Sequence, residues 1–179
     1  MADGLRVEEI GCIKSLELPK GWVRDSQPTD SGGRQIIRFH PKGLPQVSVC
    51  TSVRHLQLSR PAAETFQVTL NSDFHPLIQD ELDLLVEVLE EMADPVAFQI
   101  TAASTGSLND KRVLRISGRW LPSVEDTVSC IIDVRGDGKI VQQLYYIAPA
   151  ETFNDYLPAA DKIFLSVKWH HAGDKPKSK

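Results

Sequence analysis

Two strand-like runs, residues 127–134 and 139–147, flank the glycine-rich link Arg135-Gly136-Asp137-Gly138. A link this short joins only antiparallel neighbours, and its glycines supply the positive φ that a tight turn needs. The chain is thereby committed to an antiparallel sheet. A third run supports it. Val47, Val49, Thr51 and Val53 fall on one side of residues 47–53, and Ser48, Cys50 and Ser52 fall on the other. A period of two is the signature of a strand. Residues 10–18, 35–40, 96–102 and 112–120 read as further strands. Pro19-Lys20-Gly21 is a turn, after which Trp22-Val23 restarts extended chain, and residues 25–33 and 105–111 read as polar loops.

Helical spacing interrupts the strands twice. Ser59 suits a helix cap and Pro61 a first turn, and Phe66, Leu70 and Phe74 recur at spacing four. Pro76 removes an amide hydrogen and predicts a break. A second stretch follows, with Ile78, Leu82, Leu85, Val86 and Leu89 on one face, widened by Leu84 and Val88 and ended by Asp94-Pro95. Ala148-Pro149 opens a last helix whose apolar face holds Phe153, Leu157, Ala160, Phe164 and Val167, with Trp169 closing it. Sheet and helices together predict an α+β fold, an antiparallel sheet of six to seven strands with helices packed on it. Residues 1–171 read as one domain and 172–179 as a disordered basic tail.

Charge is segregated along the chain. Residues 61–110 contain no lysine or arginine and carry ten carboxylates, so this stretch is −10 while the whole chain is −4 and the remainder +6. Such a field steers partners. Asp80, Glu81, Asp83, Glu87, Glu90 and Glu91 lie largely off the apolar face of the second helical stretch, and are the candidate partner-binding residues. Net negative charge disfavours nucleic acid and membrane surfaces as partners. No apolar run reaches the roughly 18 residues of a membrane helix. The polar, acidic start, residues 1–9, offers no basic and apolar leader, and a cytoplasmic setting is expected.

The motifs that could carry chemistry are weak. Cys12, Cys50 and Cys130 are too few and too far apart for a disulfide framework, and read as free thiols. The run from Asp133 resembles the start of a calcium loop, but Arg135 and Leu144 stand where oxygen ligands are required. His40, His55, His75, His170 and His171 form no helical metal face. His75, beside Pro76 among acidic neighbours, has no identifiable nucleophile to serve. The aromatic residues Trp22, Trp120, Tyr145, Tyr146 and Trp169 read as core. No catalytic, metal or cofactor site is assigned.

Three segments resemble a known group. Leu18-Pro19-Lys20-Gly21-Trp22 is similar to the opening of the PsbP-like superfamily. Leu108-Asn109-Asp110-Lys111-Arg112-Val113-Leu114 is similar to its turn into a central strand, and the hairpin, Ala148-Pro149, helix and Ser166-Val167-Lys168-Trp169 to its close. The group includes the photosystem II subunit PsbP, the Ran-binding Mog protein, DcrB-like lipoproteins and effector chaperones. The likeness spans residues 16–169 and is poorest over 60–95. It implies a sheet covered by helices in proteins that mostly bind other proteins without shared catalytic residues, and no binding residue is carried over.

Three functions follow as expectations. The first is a non-catalytic adaptor that binds a protein with a basic surface through the acidic helical region. The second is a small-ligand carrier or enzyme with a pocket between sheet and helices. The third is a homodimer that buries the extra apolar residues Leu84 and Val88.

Overall fold

The computed structural model describes residues 5–26, 29–30 and 35–170, with backbone alone at 29–30. The basic tail, 172–179, lies outside the described residues. In chain order the elements are β1 (Leu5–Ile10), β2 (Ile13–Leu18), β3 (Trp22–Arg24), β4 (Thr29–Asp30), β5 (Gln35–Pro41) and β6 (Ser48–His55). Then come α1 (Arg60–Asn71), α2 (Gln79–Leu84), α3 (Val86–Met92), β7 (Phe98–Leu108) and β8 (Lys111–Trp120). β9 (Glu125–Asp133), β10 (Ile140–Pro149), α4 (Phe153–Ser166) and β11 (Lys168–Trp169) complete the chain.

The large sheet runs β3-β5-β6-β10-β9-β8-β7, with β4 beside β5, and a small sheet runs β1-β2-β11. Every pairing is antiparallel. The fold is α+β, as the hairpin-linked strands and helical stretches predict. Neighbouring residues of one strand enter different cores. Cys130, Ile132, Leu144 and Tyr146 join the cluster built with α4 and the small sheet, whereas Ile131 and Val141 join the cluster under α1–α3. Successive side chains of a strand point to opposite faces, so the large sheet is covered on both. Double coverage explains why β6 is buried at five consecutive positions, Ser48 to Ser52.

Several local expectations are corrected. Residues 10–18 are not one strand: Gly11, at φ 59°, turns β1 into β2, and β1 lies in residues whose polarity hid it. Gly11 also backs onto the Gln142 side chain, leaving no room for a Cβ. Residues 105–111 are not a loop, because β7 and β8 pair down to Leu108 and Lys111. Asn109 and Asp110, at φ 47° and 68°, form the two-residue turn. The Asn109 side chain donates to the carbonyls of Leu165 and Val167 (2.9 and 2.7 Å), pinning this turn to the end of α4. Trp169 does not close α4. It lies in β11, and its indole donates to the Leu108 carbonyl at 2.7 Å.

The helices differ from their periodicity as well. Ser59 caps α1 as expected, accepting from the Ala62 amide at 3.3 Å. Helix α1 ends at Asn71, so Phe74 falls outside it and is 73% exposed. Ser72 ends the helix by donating its hydroxyl to the Thr69 carbonyl at 2.7 Å. The second helical stretch is two short helices broken at Leu85. Leu85, Val88 and Met92 are buried, while Ile78, Leu84 and Val86 face solvent at 63%, 67% and 47% exposure. Residues 75–77 lie along the β7 edge, with the Thr105 amide donating to the His75 carbonyl and the Leu77 amide to the Ala103 carbonyl (3.0 and 2.9 Å). Pro76 sits between those bonded residues, where its missing N–H costs nothing.

Candidate functional site

The acidic residues occupy α2 and α3. Asp80, Asp83, Glu87 and Glu90 are exposed, and Glu81 and Glu91 are half-buried. Two of the six hold the fold together. Glu87 accepts from the Ser59 amide and hydroxyl (2.9 and 2.8 Å), tying the start of α1 to α3. Those bonds, the amide first, hold its carboxyl below the ordinary range. Glu81 accepts from the Ile78 amide at 3.0 Å and meets His75 Nε2 at 2.8 Å, and these partners lower its pKa in that order. Within residues 61–110 the ion pairs seen among the described residues are Arg60–Glu64 and His75–Glu81. Glu87, Glu90 and Glu91 line one surface depression with Gln57.

His75 is held at both ring nitrogens. Nδ1 lies 2.8 Å from the Asp73 carbonyl and Nε2 faces Glu81. Both neighbours accept, so both nitrogens act as donors in the charged ring, which raises the His75 pKa, Asp73 contributing most. A ring so occupied has no nitrogen left to take a proton from a substrate. The thiols are equally restrained. Cys50 and Cys130 are buried and Cys12 half-buried, all free, and burial pushes each up to about 11.

The calcium-like run is a turn. The Asp133 carboxylate accepts from the amides of Arg135, Gly136 and Gly138 at 3.2, 2.9 and 2.7 Å. Its oxygens face the backbone of its own hairpin. Among the described residues no three of His, Cys, Asp and Glu gather where a metal could sit. No helix among them is long and apolar enough to cross a membrane.

The second expectation, a pocket between sheet and helices, came without lining residues. The helices cover only part of their face of the large sheet, and beside the end of α3 a cleft of about 390 Å³ lies over the uncovered part. Its floor holds Thr127, Ser129, Gln143 and Tyr145, and its sides Phe98 and Trp120. Tyr146 is core, fully buried, with its hydroxyl donating to the Phe153 carbonyl at 2.9 Å. Tyr145 and Trp120 instead stand half-buried in the cleft. One signal could have found it. Thr127, Ser129 and Gln143 place polar groups on one side of strands whose other side, Val128, Cys130 and Leu144, is apolar.

No protein-family model matches the chain, and no curated protein does. Solved structures do. Cyanobacterial PsbP (CyanoP) of Synechocystis sp. PCC 6803 superposes with a TM-score of 0.57 at 9% identity, over 95% of this chain and 94% of that one. The chain has a PsbP-like fold. A protein of Bacteroides thetaiotaomicron VPI-5482 superposes with a TM-score of 0.50 at 12% identity, over 97% of this chain and 51% of its own. This chain therefore spans about half the length of the Bacteroides protein. At such identities the likeness is one of fold. Two of the segments that carried the resemblance meet in space, since Leu108 and Asn109 hold the Trp169 ring and the end of α4.

Proposed function

We propose that the protein is a non-catalytic binding module that docks a basic partner protein on α2 and α3. The observation that carries this reading is the mixture of groups on those helices. Six carboxylates stand beside exposed Ile78, Leu84 and Val86, in a stretch without a single lysine or arginine. Carboxylates alone describe a solvated surface. Carboxylates around exposed aliphatic side chains match a segment that brings lysines and apolar residues together. Between α2, α3 and β7–β8 a groove of about 300 Å³, lined by Leu82, Asp83, Val86 and Glu90, offers a seat for one such apolar residue. The restrained thiols and the doubly bonded His75 support a role without chemistry.

The test uses an amphipathic lysine–leucine peptide and its glutamate–leucine counterpart. The lysine peptide is expected to bind, to shift amide resonances of residues 79–92, and to weaken as salt rises, because exposed charges are screened beyond about 8 Å at physiological ionic strength. Asp80→Lys, Asp83→Lys and Glu90→Lys combined should weaken it at least tenfold. Glu87 is left intact because it holds α1. Equal binding of both peptides, or binding indifferent to the reversed charges, overturns the proposal.

A further inference from the structure

The cleft beside α3 has a polar centre in an apolar frame. Gln143 Nε2 donates to Ser129 Oγ at 2.9 Å, while Gln143 Oε1 is buried without a partner among the described residues. A buried acceptor left bare is costly, and the molecule would be more stable with a donor there. Ser129, accepting from Gln143, keeps its own hydroxyl hydrogen to give. The floor thus presents an acceptor and a donor side by side. Beside it stand the paired rings of Phe98 and Trp120, with centroids 4.9 Å apart, and Ile36 and Ile147 lie elsewhere on the wall.

Charge around the cleft has both signs. Glu90, Glu91 and Asp94 stand at the end of α3, and Arg54 lies among them, donating from Nη1 to the carbonyls of Glu91 and Met92 at 2.8 and 3.1 Å. Arg38, across Cys50 from Tyr145 in the sheet, adds a second positive charge nearby. Neither an anion nor a cation is selected by that mixture. A volume of about 390 Å³ suits a molecule of one or two rings.

We infer that the cleft binds a small uncharged aromatic amide, its N–H donating to Gln143 Oε1, its carbonyl accepting from Ser129 Oγ and its ring lying against Phe98 and Trp120. The cleft shares Glu90 and Glu91 with the α3 end of the acidic face, but its floor on β9 and β10 does not depend on a protein partner.

The probe is 2-naphthamide, added to the full chain with 2-naphthoate and 2-naphthylmethylamine as charged analogues. Calorimetry and amide-shift mapping read the outcome. The amide is expected to bind at least tenfold more tightly than either analogue, with shifts confined to the cleft residues at 92–98, 116–120, 127–131 and 143–147. Gln143→Met, which keeps the length and removes the amide, should weaken binding at least fivefold, as should Ser129→Ala, and either variant that folds suffices. Tighter binding of a charged analogue, shifts elsewhere, or no shift at millimolar amide, with water alone satisfying Gln143, overturns the inference.

Discussion

Asp133 shows how a single side chain decides what its surroundings become. With three amides on one carboxylate, the chain between β9 and β10 folds around Asp133. Asp133→Ala removes all three acceptors at once and should cost about 1–2 kcal/mol, measured as a lower urea midpoint. Added calcium should leave the wild-type midpoint unmoved. A calcium-dependent rise would mean that the carboxylate binds metal after all. This turn was legible from its two glycines, Gly136 and Gly138, which adopt φ of 72° and 69°. Phe74 was not legible. Its spacing from Phe66 and Leu70 fits a helix, but spacing cannot see that the Ser72 hydroxyl has already taken the Thr69 carbonyl. Gln143 was missed for another reason. A polar residue within a strand looks like an outward one until the coverage of both sheet faces is known.

Among the elements, the link between α1 and α2 is held by a pH-dependent clasp. His75 has a raised pKa, so its contribution is complete below the ordinary histidine value of 6.5 and is lost as pH rises through the raised value. Glu81 has a lowered pKa, so its contribution is complete above 4.5 and is lost as pH falls through the lowered value. The clasp is therefore at full strength between pH 4.5 and 6.5. His75→Gln should lower the urea midpoint at pH 6 and have a smaller effect at pH 8.5. An equal effect at both values would show that the ion pair contributes nothing beyond shape. Strands in the second half were readable as elements, because hairpins and alternation are local. β1 and the Leu85 break were not. β1 is exposed at two-thirds of its positions and buries only Val7 and Ile10, and the break depends on Leu85, Val88 and Met92 docking on the sheet rather than on helical period.

For the whole molecule, coverage of both sheet faces governs chemical reactivity. Cys50 and Cys130 lie on central strands, on opposite faces, and Cys12 packs against the same core as Cys130. With all three thiols pushed up to about 11, the native protein should resist an aromatic disulfide reagent at pH 7.5. Three equivalents should react once denaturant unfolds it. Fast reaction of any thiol in the native state would place that cysteine at an accessible, activated position. The charge pattern was legible as sequence, and its location on α2 and α3 followed from helical stretches already expected there. The mixture with exposed aliphatic groups emerged only from the fold. The strip 75–77 runs along one edge of the large sheet. Strand β7 is the outermost rail of a seven-strand path, and an outermost rail with idle amides is where one copy of a chain can template the next. Two backbone bonds on either side of a proline occupy the middle of that rail, so at this edge a tripeptide, rather than the core, takes up backbone groups that a second copy could pair with.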